Sequence, residues 1–146
     1  AAGLTIDEET LAEFAARFDE VAAGLLSEED LLPEIRIDAE LSPAEISMDT
    51  AKEIATLEPF GSGNPRPVFL LRGARVVDKT VMKGRHLRLK ILAGKTCLDA
   101  IGFSMAGRIP EADLLDLVFS LEINTWNGAR SVRLRLKDAR RSAPIQ

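Results

Sequence analysis

The spacing of apolar residues changes along this chain, first at helical steps and later at every second position. Leu11, Phe14, Phe18, Val21 and Leu25 recur at three- and four-residue intervals, which predicts one amphipathic helix of about five turns ending near Gly24 to Ser27. Thr5-x-x-Glu8 ahead of it has the form of a capping box, with Asp7, Glu8 and Glu9 in the first turn, where the helix dipole favours anions. The opening "AAGLTI" reads as a short strand. "EIRIDAEL" sets Ile35, Ile37 and Ala39 against Arg36, Asp38 and Glu40 and predicts another. A short helix is expected over residues 49–57, with Met48, Ile54, Ala55 and Leu57 as its apolar side and Pro59 as its stop.

From residue 68 onward the period is two. Segments 68–79, 85–92, 96–103, 115–124 and 129–137 read as strands. Lys83-Gly84, Ala93-Gly94 and Asn127-Gly128 mark the short turns, and Asn-Gly between alternating strands signals a tight type I′ hairpin. The third connection, 104–113, is the long one, and a helical turn around 105–108 is expected within it. Five strands with a long link between the third and fourth outline an OB-fold, and the helical link favours it over an SH3-like barrel of equal strand count. The expected class is α+β, mainly β: a five-stranded OB-fold barrel preceded by an amphipathic helix and a short strand-helix connector.

"LEPFGSGNPRPVF", Leu57 to Phe69, separates the two regimes. Pro59 ends the helix, Gly61 and Gly63 are expected to allow unusual dihedrals, and Pro65 and Pro67 hold the approach to the first barrel strand extended. Its expected role is to set the entry of the chain into the barrel.

Charge sharpens this division. The chain as a whole carries −4, but residues 1–58 hold sixteen acidic residues against three cations, and residues 59–146 hold sixteen cations against seven acidic residues. A basic half in an acidic chain is the footprint of a polyanion partner; the plainer alternative is a solvated surface whose two halves attract each other. No apolar run is long enough to predict a membrane helix, and no basic-then-apolar leader stands at the start. Cys97 is the lone cysteine, so the expected setting is reducing and cytoplasmic.

The basic residues fall into rows. His86, Arg88 and Lys90 alternate with Leu87, Leu89 and Ile91, and Arg133, Arg135 and Lys137 alternate with Val132, Leu134 and Leu136. Leu117, Phe119, Leu121 and Ile123 supply the core face of the fourth strand. Two such rows on neighbouring strands would make a track for phosphates, or else a face kept soluble by charge. Trp126, beside the Asn127-Gly128 tip and near Arg130, either stacks a base or packs over the barrel end; Phe103, at the end of the third strand, poses a similar choice, with the core as its expected place. Arg85 completes the candidate nucleic-acid-binding set of Arg85, His86, Arg88, Lys90, Trp126, Arg130, Arg133, Arg135 and Lys137. His86 and Cys97 stand alone, which suits neither metal ligation nor a catalytic triad, and no Gly-rich phosphate loop leads into a helix. No catalytic residue, metal ligand or cofactor site is expected in this chain.

These residues carry a family resemblance. "LEPFGSGNPRPVF" resembles the signature that precedes the OB-fold in RecJ-type single-stranded-DNA-specific 5′→3′ exonucleases. "KGRHLRLKI" is similar to that family's second barrel strand, and "INTWNGARSVRLRLKDAR" to its last hairpin. "AAGLTI" and the acidic helix resemble the tail of the DHHA1 domain, just past its glycine-glycine-histidine motif. The resemblance runs over nearly the whole chain, and PFGSGNP is its most specific part. It implies residues 1–32 as a DHHA1-like remnant, 33–58 as a connector and 59–146 as the OB-fold domain. It implies that manganese- or magnesium-dependent phosphodiester hydrolysis resides in an upstream Asp-His-His domain, and that this chain is a C-terminal piece. The piece would then help hold single-stranded DNA for a parent that trims 5′ ends in recombination and repair. The alternative is a protein-interaction module docking the acidic tail of a single-strand-binding protein; a third reading has the basic face dock the acidic N-terminal segment.

Overall fold

A computed structural model describes residues 3–143 and divides into two compact units, 1–35 and 36–146. In the first unit, α1 (Leu11–Leu25) is one 15-residue helix preceded by a 3-10 turn at Glu8–Thr10. The helix is shorter than the periodicity predicts. Thr5 does not cap it; the Thr10 amide and hydroxyl both donate to the Asp7 carbonyl instead. No strand forms over residues 3–6, and the rest of the predicted opening strand, Ala1 and Ala2, lies outside the described residues. Phe14 and Phe18 pair on one side of α1 with ring centroids 5.8 Å apart.

The second unit is a closed five-stranded mixed barrel with one extra strand, and it is OB-like in form. Its strands are β2 (Phe69–Met82), β3 (His86–Ala93), β4 (Thr96–Gly102), β5 (Leu114–Trp126) and β6 (Ala129–Arg141), with β1 (Ala39–Glu40) added at the edge of β2. The order β2-β3-β4-β6-β5 closes through a second pairing of β2 with β5. One strand can serve two neighbours because it turns a corner: its β5 register breaks between Leu71 and Ala74, where Gly73 sits at φ 62°. The Gly73 amide donates to the buried Asp116 carboxylate, so the corner has its own acceptor. All five predicted barrel strands are present, most of them running a few residues further than the alternation suggests.

The core follows the alternation. Leu87, Leu89 and Ile91 of β3, Leu117, Phe119 and Leu121 of β5, and Leu134 and Leu136 of β6 are buried together. Burying each such side chain contributes roughly 1.5–3 kcal/mol relative to leaving it in water. Met105 and Ile109 from the long link also reach the core. Gly102 permits this, since a Cβ there would stand 2.8 Å from the Met105 sulfur. The link itself carries a hydrogen-bonded turn from the Arg108 amide to the Met105 carbonyl, not the predicted helical turn.

Upstream elements of this unit join the barrel. α2 (Met48–Ala55) is capped by Ser47, whose hydroxyl accepts from the Thr50 amide at 3.1 Å. It buries Ala51 and Ile54, while Leu57, predicted on its apolar side, is exposed. The strand predicted from "EIRIDAEL" shrinks to β1, parallel to β2. The Asp38 amide donates to the Val68 carbonyl, but Pro65 and Pro67 lack the amide protons a longer ladder would need. The PFGSGNP stretch closes on itself: Gly61 and Asn64 exchange backbone hydrogen bonds, and the Asn64 side-chain amide donates to the Leu57 and Pro59 carbonyls. Neither Gly61 nor Gly63 takes the left-handed conformation, so these two glycines do not supply the unusual dihedrals expected of them.

Candidate nucleic-acid interface

Pleating puts the predicted cation rows on the outer wall, opposite the buried leucines. They do not lie on adjacent strands. β4 runs between β3 and β6, with Lys90, Asp99 and Arg133 in one cross-strand row and Arg88, Ile101 and Arg135 in the next. The expected track is therefore three strands wide, with a carboxylate in its middle strand.

That carboxylate and one on β5 engage much of the charge. Arg88 donates to Asp99 at 3.2 Å. Glu122, opposite Arg133 across the β5–β6 ladder, accepts from Arg133 at 3.2 Å through one oxygen and from Arg135 at 3.1 Å through the other. Its side chain is 18% exposed against 45% for Asp99, so the Glu122 pairs are better shielded from water. Among the described residues, Arg85, Lys90, Arg130 and Lys137 make no ion pair. The nearby acidic partners were missed because each is distant in sequence from the cations it meets; only the strand order reveals them.

A cleft of about 600 Å³ opens on this wall. It is lined by Arg88 of β3, Asp99 and Ile101 of β4, Met82 at the end of β2, and Trp126, Ser131 and Arg133 of the β5–β6 hairpin. The hairpin has the predicted tight turn, with Asn127 at φ 48° and Gly128 at φ 79°. Trp126 is 72% exposed, which excludes packing over the barrel end. Arg88, Trp126 and Arg133 thus meet in one cleft, between the two loops that border the binding face of OB-folds. Met82, Ile101 and Ser131 join them without any charge or motif to mark them in the sequence.

His86, Arg85 and Arg135 gather beside the cleft around Phe103, which is 46% exposed rather than in the core. The His86 and Phe103 rings meet edge to face at 5.4 Å, and the Arg135 guanidinium lies 5.1 Å from the Phe103 centroid. The Ser104 amide and the Arg85 guanidinium both point at His86 nitrogens, at 3.1 and 3.2 Å. The amide addresses Nδ1 and the guanidinium Nε2, and because a neutral imidazole has a single acceptor nitrogen, only one of the two hydrogen bonds forms in either tautomer. Phe103 falls outside the core because β4 buries Leu98, Ala100 and Gly102, so the alternation itself sets residue 103 on the outer side with Asp99 and Ile101.

At the other end of β5, a third carboxylate does structural work. Asp116 accepts from Arg140 at 3.2 Å and from the Gly73 amide at 3.1 Å. Burial alone would raise its pKa, but Ser142, the Gly73 amide and Arg140 outweigh burial and hold it below the ordinary aspartate value. Among the described residues no three His, Cys, Asp or Glu side chains gather as metal ligands. No helix among them is long and apolar enough to cross a membrane.

Comparison with known proteins agrees with this architecture. The RecJ exonuclease of Bacillus subtilis, described as single-stranded-DNA-specific, is 30% identical over 95% of this chain, and its Haemophilus influenzae counterpart is 35% identical over 92%. The chain spans only 18% and 24% of those two proteins. A crystal structure of RecJ with Mn2+ from Thermus thermophilus superposes with a TM-score of 0.76 at 27% identity, covering 99% of this chain and 21% of that one. Residues 37–138 match the family model of the RecJ OB domain, well over half of the sequence, and the chain belongs to that family.

Proposed function

We propose that this chain is the strand-holding portion of a RecJ-like 5′→3′ exonuclease, gripping single-stranded DNA while a separate metal-bearing domain cuts it. The observation that carries this is the convergence of Trp126, Arg88 and Arg133 in one open cleft between the two loops of an OB barrel. An exposed indole offers a stacking face to any base, and the guanidinium groups offer charge-assisted hydrogen bonds to backbone phosphates. Lys90, Arg130 and Lys137, without ion pairs among the described residues, extend the positive field along the wall. Holding a strand here would tether the parent enzyme to its substrate during recombination and repair, in the cytoplasm, where an unpaired exposed Cys97 is at home. Residues 1–32 are assigned, on the same reading, to the tail of a DHHA1-like domain. No catalytic step is assigned to this chain.

A second reading uses the same wall for the acidic tail of a single-strand-binding protein. The cations that lie outside the cleft lining, Arg85 and Lys137 among them, favour it. Titrating the chain with a short oligothymidylate and with an acidic peptide, each over a range of salt, separates the two. DNA holding predicts tighter oligonucleotide binding whose logarithm falls linearly with log salt, by roughly 0.7 per phosphate contacted. Binding of the peptide alone would replace the first reading with the second.

A further inference from the structure

Glu122 occupies an unusual position on the proposed wall. It is the one carboxylate that spans two arginines of the β6 row, one oxygen to each, at 3.2 and 3.1 Å. A phosphodiester presents the same feature, two equivalent anionic oxygens on one centre. The Nε of Arg133 is buried without a hydrogen-bond partner, so that guanidinium keeps unmet donor capacity even while Glu122 holds it. Arg133 also lines the cleft that contains Trp126. Glu122 also borders a separate hollow of about 240 Å³ whose lining includes Arg66, already paired with Glu58 at 3.2 Å.

We propose that Arg133 and Arg135 form a seat for one backbone phosphodiester, and that Glu122 is its resident competitor. This rests on the strand-binding reading of the same face. In the free chain the carboxylate occupies both guanidinium groups. Strand binding then exchanges one anion for another: Glu122 leaves and a phosphodiester takes both arginines. The exchange favours a ligand with several phosphates anchored at once over a lone phosphate, because a single anion must displace Glu122 without help from neighbouring contacts. It also weakens the grip at this step, which suits a strand that must slide rather than stay.

The test measures oligothymidylate binding to the full chain, to Glu122→Gln, and to Glu122→Gln combined with Arg133→Gln and Arg135→Gln. Removing the competitor should tighten binding roughly fivefold at 50 mM salt and steepen the log K against log salt slope by about 0.7, one single-strand phosphate's worth. With both arginines gone, the gain from Glu122→Gln over an Arg133→Gln/Arg135→Gln control should vanish. Glu122→Asp, too short to span both arginines, should lie between the wild type and Glu122→Gln; thermal melts check that each variant is folded. Weaker binding by Glu122→Gln would mean that Glu122 positions the arginines, and would overturn the inference. Unchanged binding would overturn it too, as would a gain that survives without the arginines, which reports net charge alone. If neither the wild type nor Glu122→Gln binds, the strand-binding reading fails and takes this inference with it. If the wild type binds and Glu122→Gln binds no better, only the inference fails.

Discussion

The β3 and β6 rows are spelled almost alike, HLRLKI and VRLRLK, yet the barrel treats them differently. On β3, Arg88 meets an Asp99 that is nearly half exposed, and Lys90 has no ion-pair partner among the described residues. On β6, both arginines converge on one well-shielded Glu122. Alternation fixes which face a cation occupies, while strand order fixes which anion it meets and how dry that meeting is. The difference matters because exposed ion pairs contribute about 0–1 kcal/mol and yield readily to a phosphate, whereas a shielded pair is a stronger contestant. Asp116, 5% exposed at the far end of β5, extends the series: there the carboxylate belongs to the fold.

The largest effect expected from breaking this contrast is on β6. Arg133→Glu with Arg135→Glu places two carboxylates where two cations stood, beside Glu122, and oligonucleotide binding should fall roughly a hundredfold with the circular dichroism spectrum unchanged. Trp126→Ala should weaken binding by about 1–3 kcal/mol through lost stacking, with little change in salt slope, since no charge is removed; fluorescence-independent titration such as calorimetry reads it. Asp116→Asn should leave binding alone and lower thermal stability by about 1–2 kcal/mol at neutral pH. The sign of its pH dependence follows from the depressed carboxyl: its contribution is full above the unfolded aspartate value and is lost as pH falls through the lower folded one. The gap between wild type and Asp116→Asn should therefore close in acid. The smallest effect belongs to Asp99→Asn, which frees an arginine from an exposed pair and should tighten binding by less than about threefold.

Much of the barrel was legible from local rules. The leucines of β3 and β6 and the Asn127-Gly128 turn are strand-local signals, and they carry through to buried positions and a left-handed two-residue turn. The corner at Gly73 was not legible, because nothing near it in sequence says that one strand must serve two partners. Phe103 misled for a different reason: its core assignment followed its apolar character, whereas β4 buries the even positions 98, 100 and 102 and turns 103 outward with Asp99 and Ile101. Of the proposed site, Arg88, Trp126 and Arg133 were identifiable from charge and exposure, and these three line the cleft. Asp99 and Glu122 were not, since an acidic residue inside a basic segment looks like simple solubilising charge until the register sets it against an arginine.

The most direct measurement is amide chemical-shift mapping of the chain with a short oligothymidylate. The account predicts that perturbations concentrate on the outer positions of β3, β4 and β6 and on the Trp126 indole. Perturbations confined instead to the opposite hollow around Lys79, Ile109 and Asp113, with Arg88, Arg133 and Trp126 unmoved, would contradict it.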